Sequence, residues 1–112
     1  MATNISSIKM ISLEDAWMKA AVEHKTIEIR YRDTKGEVTL REVEPDFFGP
    51  SRNGKNIGCW GLCRLRGGIR CFSPENILEW RYIGNSFEPN PVGRWQELEA
   101  IYEQRKLNLL TL

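Results

Sequence analysis

Between Leu13 and Ala21 the apolar residues Leu13, Ala16, Trp17, Ala20 and Ala21 recur at the three-and-four spacing of one helix face. Ser12 stands before them as an N-cap with Asp15 three residues on, and the pattern ends near His24. From Thr26 the period changes to two. Ile27, Ile29 and Tyr31 alternate with Glu28, Arg30 and Arg32, which predicts a half-buried strand closed by the turn Asp33-Thr34-Lys35-Gly36. In the run Glu37 to Phe48, Val38 and Leu40 share one parity and Val43 takes the other, a conflict that a bulge near Arg41-Glu42 would resolve. Gly49-Pro50 breaks that run, and Asn53-Gly54 is a hairpin signal before a third strand from Asn56 to Leu65. Gly67-Gly68 turns the chain into a short strand, Ile69 to Phe72. A tight turn at Ser73 to Asn76 follows, and then a fifth strand in which Leu78, Trp80 and Tyr82 alternate with Glu79 and Arg81.

A link rich in Pro, Asn and Gly runs from Gly84 to Asn90. Asn90 is a candidate N-cap with Pro91 at the first helical position, and Trp95, Leu98, Ile101, Tyr102 and Leu109 line one face of a second helix. With no crossover between parallel strands, the expected architecture is mainly β: a small five-stranded Sm/SH3-like β-barrel flanked by an N-terminal and a C-terminal α-helix. Residues 1–11 read as a flexible arm, 12–83 as the helix plus barrel, and 84–112 as a linker and a helix packed on the barrel or on a partner.

The 112 residues carry a net charge of only +1, so any electrostatic function must come from local clustering. That clustering exists. The stretch Phe47 to Pro74 holds Arg52, Lys55, Arg64, Arg66 and Arg70 and no acidic residue, a charge of +5 that leaves −4 to the rest of the chain. A basic hairpin on a mildly acidic body points to an anionic partner. If Arg66-Gly67-Gly68 is a three-residue loop, Leu65 pairs with Ile69 and Cys63 with Cys71, and Cys59, Gly61, Cys63, Leu65, Ile69 and Cys71 form an apolar core face. Trp60, Leu62, Arg64, Arg70 and Phe72 then share the other face with Arg66 at the turn, a mixture suited to phosphates and stacked bases. A two-residue Gly67-Gly68 turn would instead set Arg70 beside Cys63 and Phe72. The plainer reading of Arg64 and Arg70 is a solvated strand face. Arg41, beside Val43 in parity, takes an inward or bulge position, where it needs an anionic partner or a structural carbonyl.

The remaining chemistry is sparse. Three cysteines without a secretion signal read as reduced, buried side chains rather than a disulfide framework, and with His24 the sole histidine no metal site is expected. Glu42, Glu44 and Asp46 form a row of carboxylates, yet no histidine, phosphate-cradling glycine loop or nucleophile elbow accompanies them. No catalytic residue and no cofactor is therefore assigned. No apolar run approaches the ~20 residues that cross a bilayer, so a cytoplasmic protein without membrane contact is expected.

From Leu13 to Ile83 the chain resembles the WYL domain, a bacterial regulatory module with an Sm-like barrel. The likeness lies in the helix followed by Ile27-Glu28-Ile29-Arg30-Tyr31, in Arg41-Glu42-Val43-Glu44-Pro45, similar to an R-x-V-x-P stretch, and in the hairpin Cys63 to Phe72, similar to an R-x-F segment. The family's Trp-Tyr-Leu triplet falls on Ile57-Gly58-Cys59, and an arginine usual before the last strand falls on Asn76. The resemblance implies a sensory module of a transcriptional or phage-defence regulator. One helix before the barrel is too little for a two-helix reader of the major groove. The leading expectation is a non-enzymatic module that binds single-stranded DNA or RNA, or a nucleotide-like anion. Its site residues would be Arg41, Trp60, Arg64, Arg66, Arg70 and Phe72. The alternative is a protein-interaction or homo-oligomerisation module acting through the C-terminal helix, because Leu107, Leu109, Leu110 and Leu112 exceed what one short helix buries on a small barrel.

Overall fold

A computed structural model describes residues 12–110, with side chains to residue 106. The N-terminal arm and the side chains of Leu107, Leu109, Leu110 and Leu112 lie outside this description. The elements are α1 (Leu13–Glu23), β1 (Lys25–Arg32), β2 (Val38–Pro50), β3 (Ile57–Cys63), β4 (Gly68–Phe72), a 3-10 turn at Pro74–Asn76, β5 (Ile77–Ser86) and α2 (Gln96–Leu110). Ser12 caps α1 by accepting the Asp15 N–H at 3.1 Å. The helix ends at His24, whose left-handed backbone (φ 56°) lets its N–H reach the carbonyls of Ala20 and Ala21.

The five strands form one antiparallel sheet in the order β4-β3-β2-β1-β5. β4 and β5 are its edges and do not pair, so the hydrogen-bonded ladder is open where the sequence suggested a closed barrel. The sheet still curls strongly: the Phe72 ring on edge strand β4 stands edge-on to Tyr31 on β1, centroids 5.0 Å apart. Ala16, Trp17 and Ala20 of α1 pack into the concave side against Ile27, Ile29, Val43, Cys59, Cys63 and Phe72. The two alanines bring the helix backbone close, and Trp17 fills the centre with no exposure.

The irregularity in β2 lies elsewhere than expected. Pairing with β1 runs unbroken from Ile27 opposite Val43 to Arg32 opposite Val38, and the register shift falls between Pro45 and Phe47 against β3. The parity conflict is settled by leaving Val38 and Leu40 on the outer face, 39% and 62% exposed, while Arg41 turns inward. Pro45 has no N–H to give a ladder, so the interruption comes beside it and Asp46 becomes the extra residue. The indole N–H of Trp17 serves the backbone there, donating to the carbonyls of Phe47 (3.1 Å) and Trp60 (3.0 Å).

The β3–β4 turn also departs from expectation. Cys63 pairs with Gly68, Gly61 with Arg70 and Cys59 with Phe72, so Arg64 to Gly67 form a four-residue loop. The Gly67 N–H closes it onto the Cys63 carbonyl at 2.6 Å, with Gly67 at φ 73°. The offset from the preferred register is odd, which turns every β4 side chain over. Phe72 and Arg70 face the side of Cys59 and Cys63, whereas Ile69 and Cys71 join Trp60 and Leu62. Burial explains the choice, since Phe72 is sealed at 1% exposure and Ile69 is left 42% exposed.

The last helix begins at Gln96, later than the Asn90-Pro91 signal suggested. Asn90 instead forms a turn, its side chain accepting the Val92 N–H and its carbonyl the Gly93 N–H. α2 rests on α1 rather than on the sheet: Leu98 is buried against Met18 and Ala21, with Trp95, Tyr102, Val22 and Phe47 around them. The Tyr102 hydroxyl donates to Glu23 at 2.6 Å, and Arg105 pairs with Asp15. Ile101 stays 46% exposed. Among the described residues no helix is long and apolar enough to cross a membrane.

Candidate functional site

The stretch Arg41-Glu42-Val43-Glu44-Pro45 shows what strand alternation does with charge. Arg41, Val43 and Pro45 point inward and are buried, while Glu42 and Glu44 point outward. Both outward carboxylates are taken by Arg64, which donates from Nη1 to Glu42 at 3.1 Å and from Nε to Glu44 at 3.0 Å. Arg64 is thus neutralised on the convex face and does not pair with Arg70, which lies across the sheet. Trp60 is also on that outer face, its indole N–H donating to the Pro50 carbonyl at 2.9 Å. Phe72 belongs to the core, and its buried ring offers no platform for a base. Arg66 sits exposed on the β3–β4 loop.

Of the six residues expected, Arg41, Arg70 and Phe72 come together. They line an open groove of about 450 Å³ with Tyr31, Asp33, Thr34, Arg52, Gly68, Ile69 and Cys71. That volume falls in the ~300–1,000 Å³ range of small-molecule sites. Arg41 forms its floor and is only 4% exposed. Its guanidinium lies 5.4 Å from the Tyr31 ring centre and 5.9 Å from that of Phe72. Its Nε donates to Thr39 Oγ1 at 2.9 Å, and Nη1 lies 4.0 Å from Cys63 Sγ. Among the described residues no carboxylate pairs with Arg41, Arg52 or Arg70. Asp33 is the one carboxylate in the lining, and its Oδ1 is held by the N–H groups of Lys35 and Glu37, both at 2.9 Å. Three guanidiniums against one carboxylate leave the groove with two surplus positive charges.

Arg52, Tyr31, Asp33 and Thr34 were not singled out as site residues from the sequence. Arg52 was visible in the basic run, but its arrival at the groove depends on the Ser51–Asn56 turn, where the Ser51 N–H donates to the Asn56 carbonyl at 2.7 Å. Its guanidinium lies 5.3 Å above the Trp60 ring. The thiols are not poised as nucleophiles: burial pushes Cys59 up to about 12, and burial raises Cys71 against the opposing influence of Arg52. Cys71 Sγ occupies the space a side chain at Gly58 would need. Among the described residues no group of three His, Cys, Asp or Glu side chains is disposed to hold a metal ion.

No family model and no curated protein matches the chain. Among solved structures it is similar to proteasome accessory factor B/C (PafBC) of Arthrobacter aurescens, with a TM-score of 0.62 and 23% identity over 72% of this chain. The match spans 13% of that protein's length. The likeness shows the fold alone.

Proposed function

We propose that this chain is a sensory module of a regulator, non-enzymatic, whose arginine groove holds a nucleotide-like anion or the phosphates of single-stranded nucleic acid. The observation that carries the reading is Arg41: a guanidinium at 4% exposure, hydrogen-bonded to a hydroxyl and a thiol and flanked by the Tyr31 and Phe72 rings, with no carboxylate paired to it among the described residues, at the floor of a groove rimmed by Arg52 and Arg70. A buried charge without a counter-charge is costly, and an anionic ligand would supply one. Guanidiniums pair with phosphate oxygens through two parallel bonds, which suits them to this task. The WYL-like sequence features and the fold shared with PafBC support a regulatory role. In that setting the curled sheet is the counterpart of the family's small barrel, left open between β4 and β5.

The row of carboxylates is engaged elsewhere: Glu42 and Glu44 with Arg64, and Asp46 with backbone N–H groups. The deciding experiment is fluorescence anisotropy with single-stranded DNA, single-stranded RNA and duplex DNA across a salt series. Single strands should bind, and Arg52→Ala/Arg70→Ala should weaken binding and flatten the salt dependence by about 0.7 per lost phosphate contact. Wild-type affinity in a folded double variant would refute the groove.

A further inference from the structure

Resting on that reading, we propose that the groove recognises a terminal phosphomonoester, carried by a free nucleotide or by the end of a strand, rather than the phosphodiesters of a strand passing through. Three observations lead there. First, the anion-seeking group is recessed. Arg41 lies at the floor at 4% exposure, whereas Arg52 and Arg70 stand exposed at the rim. A terminal phosphate hangs from one ester link and can enter such a site with three free oxygens. A phosphodiester has two free oxygens, and to reach the floor it must bring in the sugars on both sides.

Second, the charges match. The groove has three guanidiniums and the already engaged Asp33 carboxylate. A phosphomonoester carries about −1.5 to −2 near pH 7 and offsets the surplus by itself, where a diester brings a single charge. Third, the aromatic faces that a through-running strand needs are already taken up around the groove. Successive bases require exposed aromatic faces and a continued basic track. Phe72 is sealed, the Trp60 ring is already covered by the Arg52 guanidinium at 5.3 Å with its indole N–H on the Pro50 carbonyl, and Arg64 is occupied by Glu42 and Glu44. Half-buried Tyr31 is the aromatic left in the lining, and its ring already faces Arg41 and Phe72.

The test uses a fluorescent DNA tetranucleotide in three forms: 5′-phosphate, 3′-phosphate and both ends hydroxyl. AMP, adenosine and inorganic phosphate serve as competitors. At least one phosphorylated form should bind about tenfold or more tightly than the hydroxyl form, a difference of about 1.4 kcal/mol. Arg70→Ala should remove most of that preference, and Arg64→Ala, which lies outside the groove, should leave it. Competition by AMP but not adenosine identifies the free nucleotide as a sufficient source, while preference without AMP competition assigns the site to strand ends. Equal binding of phosphorylated and hydroxyl oligomers overturns this inference and leaves the proposed function standing. No binding of any oligomer or competitor overturns both.

Discussion

Arg64 and Glu42 are joined at 3.1 Å across the β2–β3 edge, and the same carboxylate accepts from Asn85 Nδ2 at 2.7 Å. Thr26 completes the knot, donating to Glu42 while its Oγ1 accepts the Asn85 N–H at 3.2 Å. One carboxylate thereby ties the β3–β4 loop, the start of β1 and the end of β5 to the middle of β2.

This knot predicts an acid-sensitive component of stability. The hydrogen bonds from Thr26 and Asn85, followed by the charge of Arg64, hold Glu42 below its ordinary value of 4.5. A carboxylate depressed in the folded state binds protons more readily when unfolded, so its contribution is present above about pH 4.5 and fades as pH falls through the lowered folded value. Urea unfolding between pH 7 and pH 3 should show that decline, and Glu42→Gln should make it shallower. An unchanged acid limb in the variant would place the effect elsewhere.

Asp46 predicts how the last helix is held. Its carboxylate accepts the N–H of Arg94 (3.0 Å) and of Trp95 (3.1 Å), the two backbone donors just ahead of α2 that no helical carbonyl can serve. Asp46→Ala should lower stability by about 1–2 kcal/mol and speed amide exchange at residues 94–102 well before the sheet responds. Asp46→Asn keeps an acceptor and should cost less.

Gly58 and Cys71 should behave as a coupled pair. A methyl at 58 would overlap Cys71 Sγ, so Gly58→Ala should destabilise by about 1–3 kcal/mol. Adding Cys71→Ala should recover a substantial part of that loss, a non-additivity read from a double-mutant cycle. Gly61→Ala offers the contrast. Its methyl would meet the Glu44 carbonyl at 2.7 Å, which is backbone, and no single side-chain removal should rescue it.

Trp17 tests the value of its indole N–H apart from its bulk. Trp17→Phe leaves two carbonyls short of a donor and a partly filled space, and should cost about 2–4 kcal/mol in chemical denaturation. If Trp17→Phe matched the wild type, the two carbonyls would have to find water instead.

Much of the order of elements was legible because local chemistry decides it. The Ser12 cap, the alternation through Ile27 to Tyr31 and the Asp33 turn need no information from elsewhere in the chain. The faces of β3 and β4 were not legible, since both glycines of Gly67-Gly68 can turn and two registers differ only in which residues the rest of the fold buries. The preference for an apolar core face holding all three cysteines with Leu65 and Ile69 gave way to the larger gain from sealing Phe72, and with it Arg70 moved from the side of Arg64 to that of Arg41. Arg41 itself was half legible: parity put it inside, but nothing local shows that the carboxylates beside it are drawn outward by an arginine 23 positions later. Asp46 was read as one of a row of acids because a cap reached across 49 residues leaves no local signature.

The extra residue in β2 is where three parts of the molecule are fastened. Trp17 reaches it from α1, Asp46 leaves from it toward α2, and the β3 backbone follows its offset. A regular ladder would disturb both attachments at once: deleting Asp46 would straighten β2, take the acceptor from Arg94 and Trp95 ahead of α2, and shift the Phe47 carbonyl that the Trp17 indole bonds. What looks like a flaw in the sheet is the joint on which the helical layer is hung.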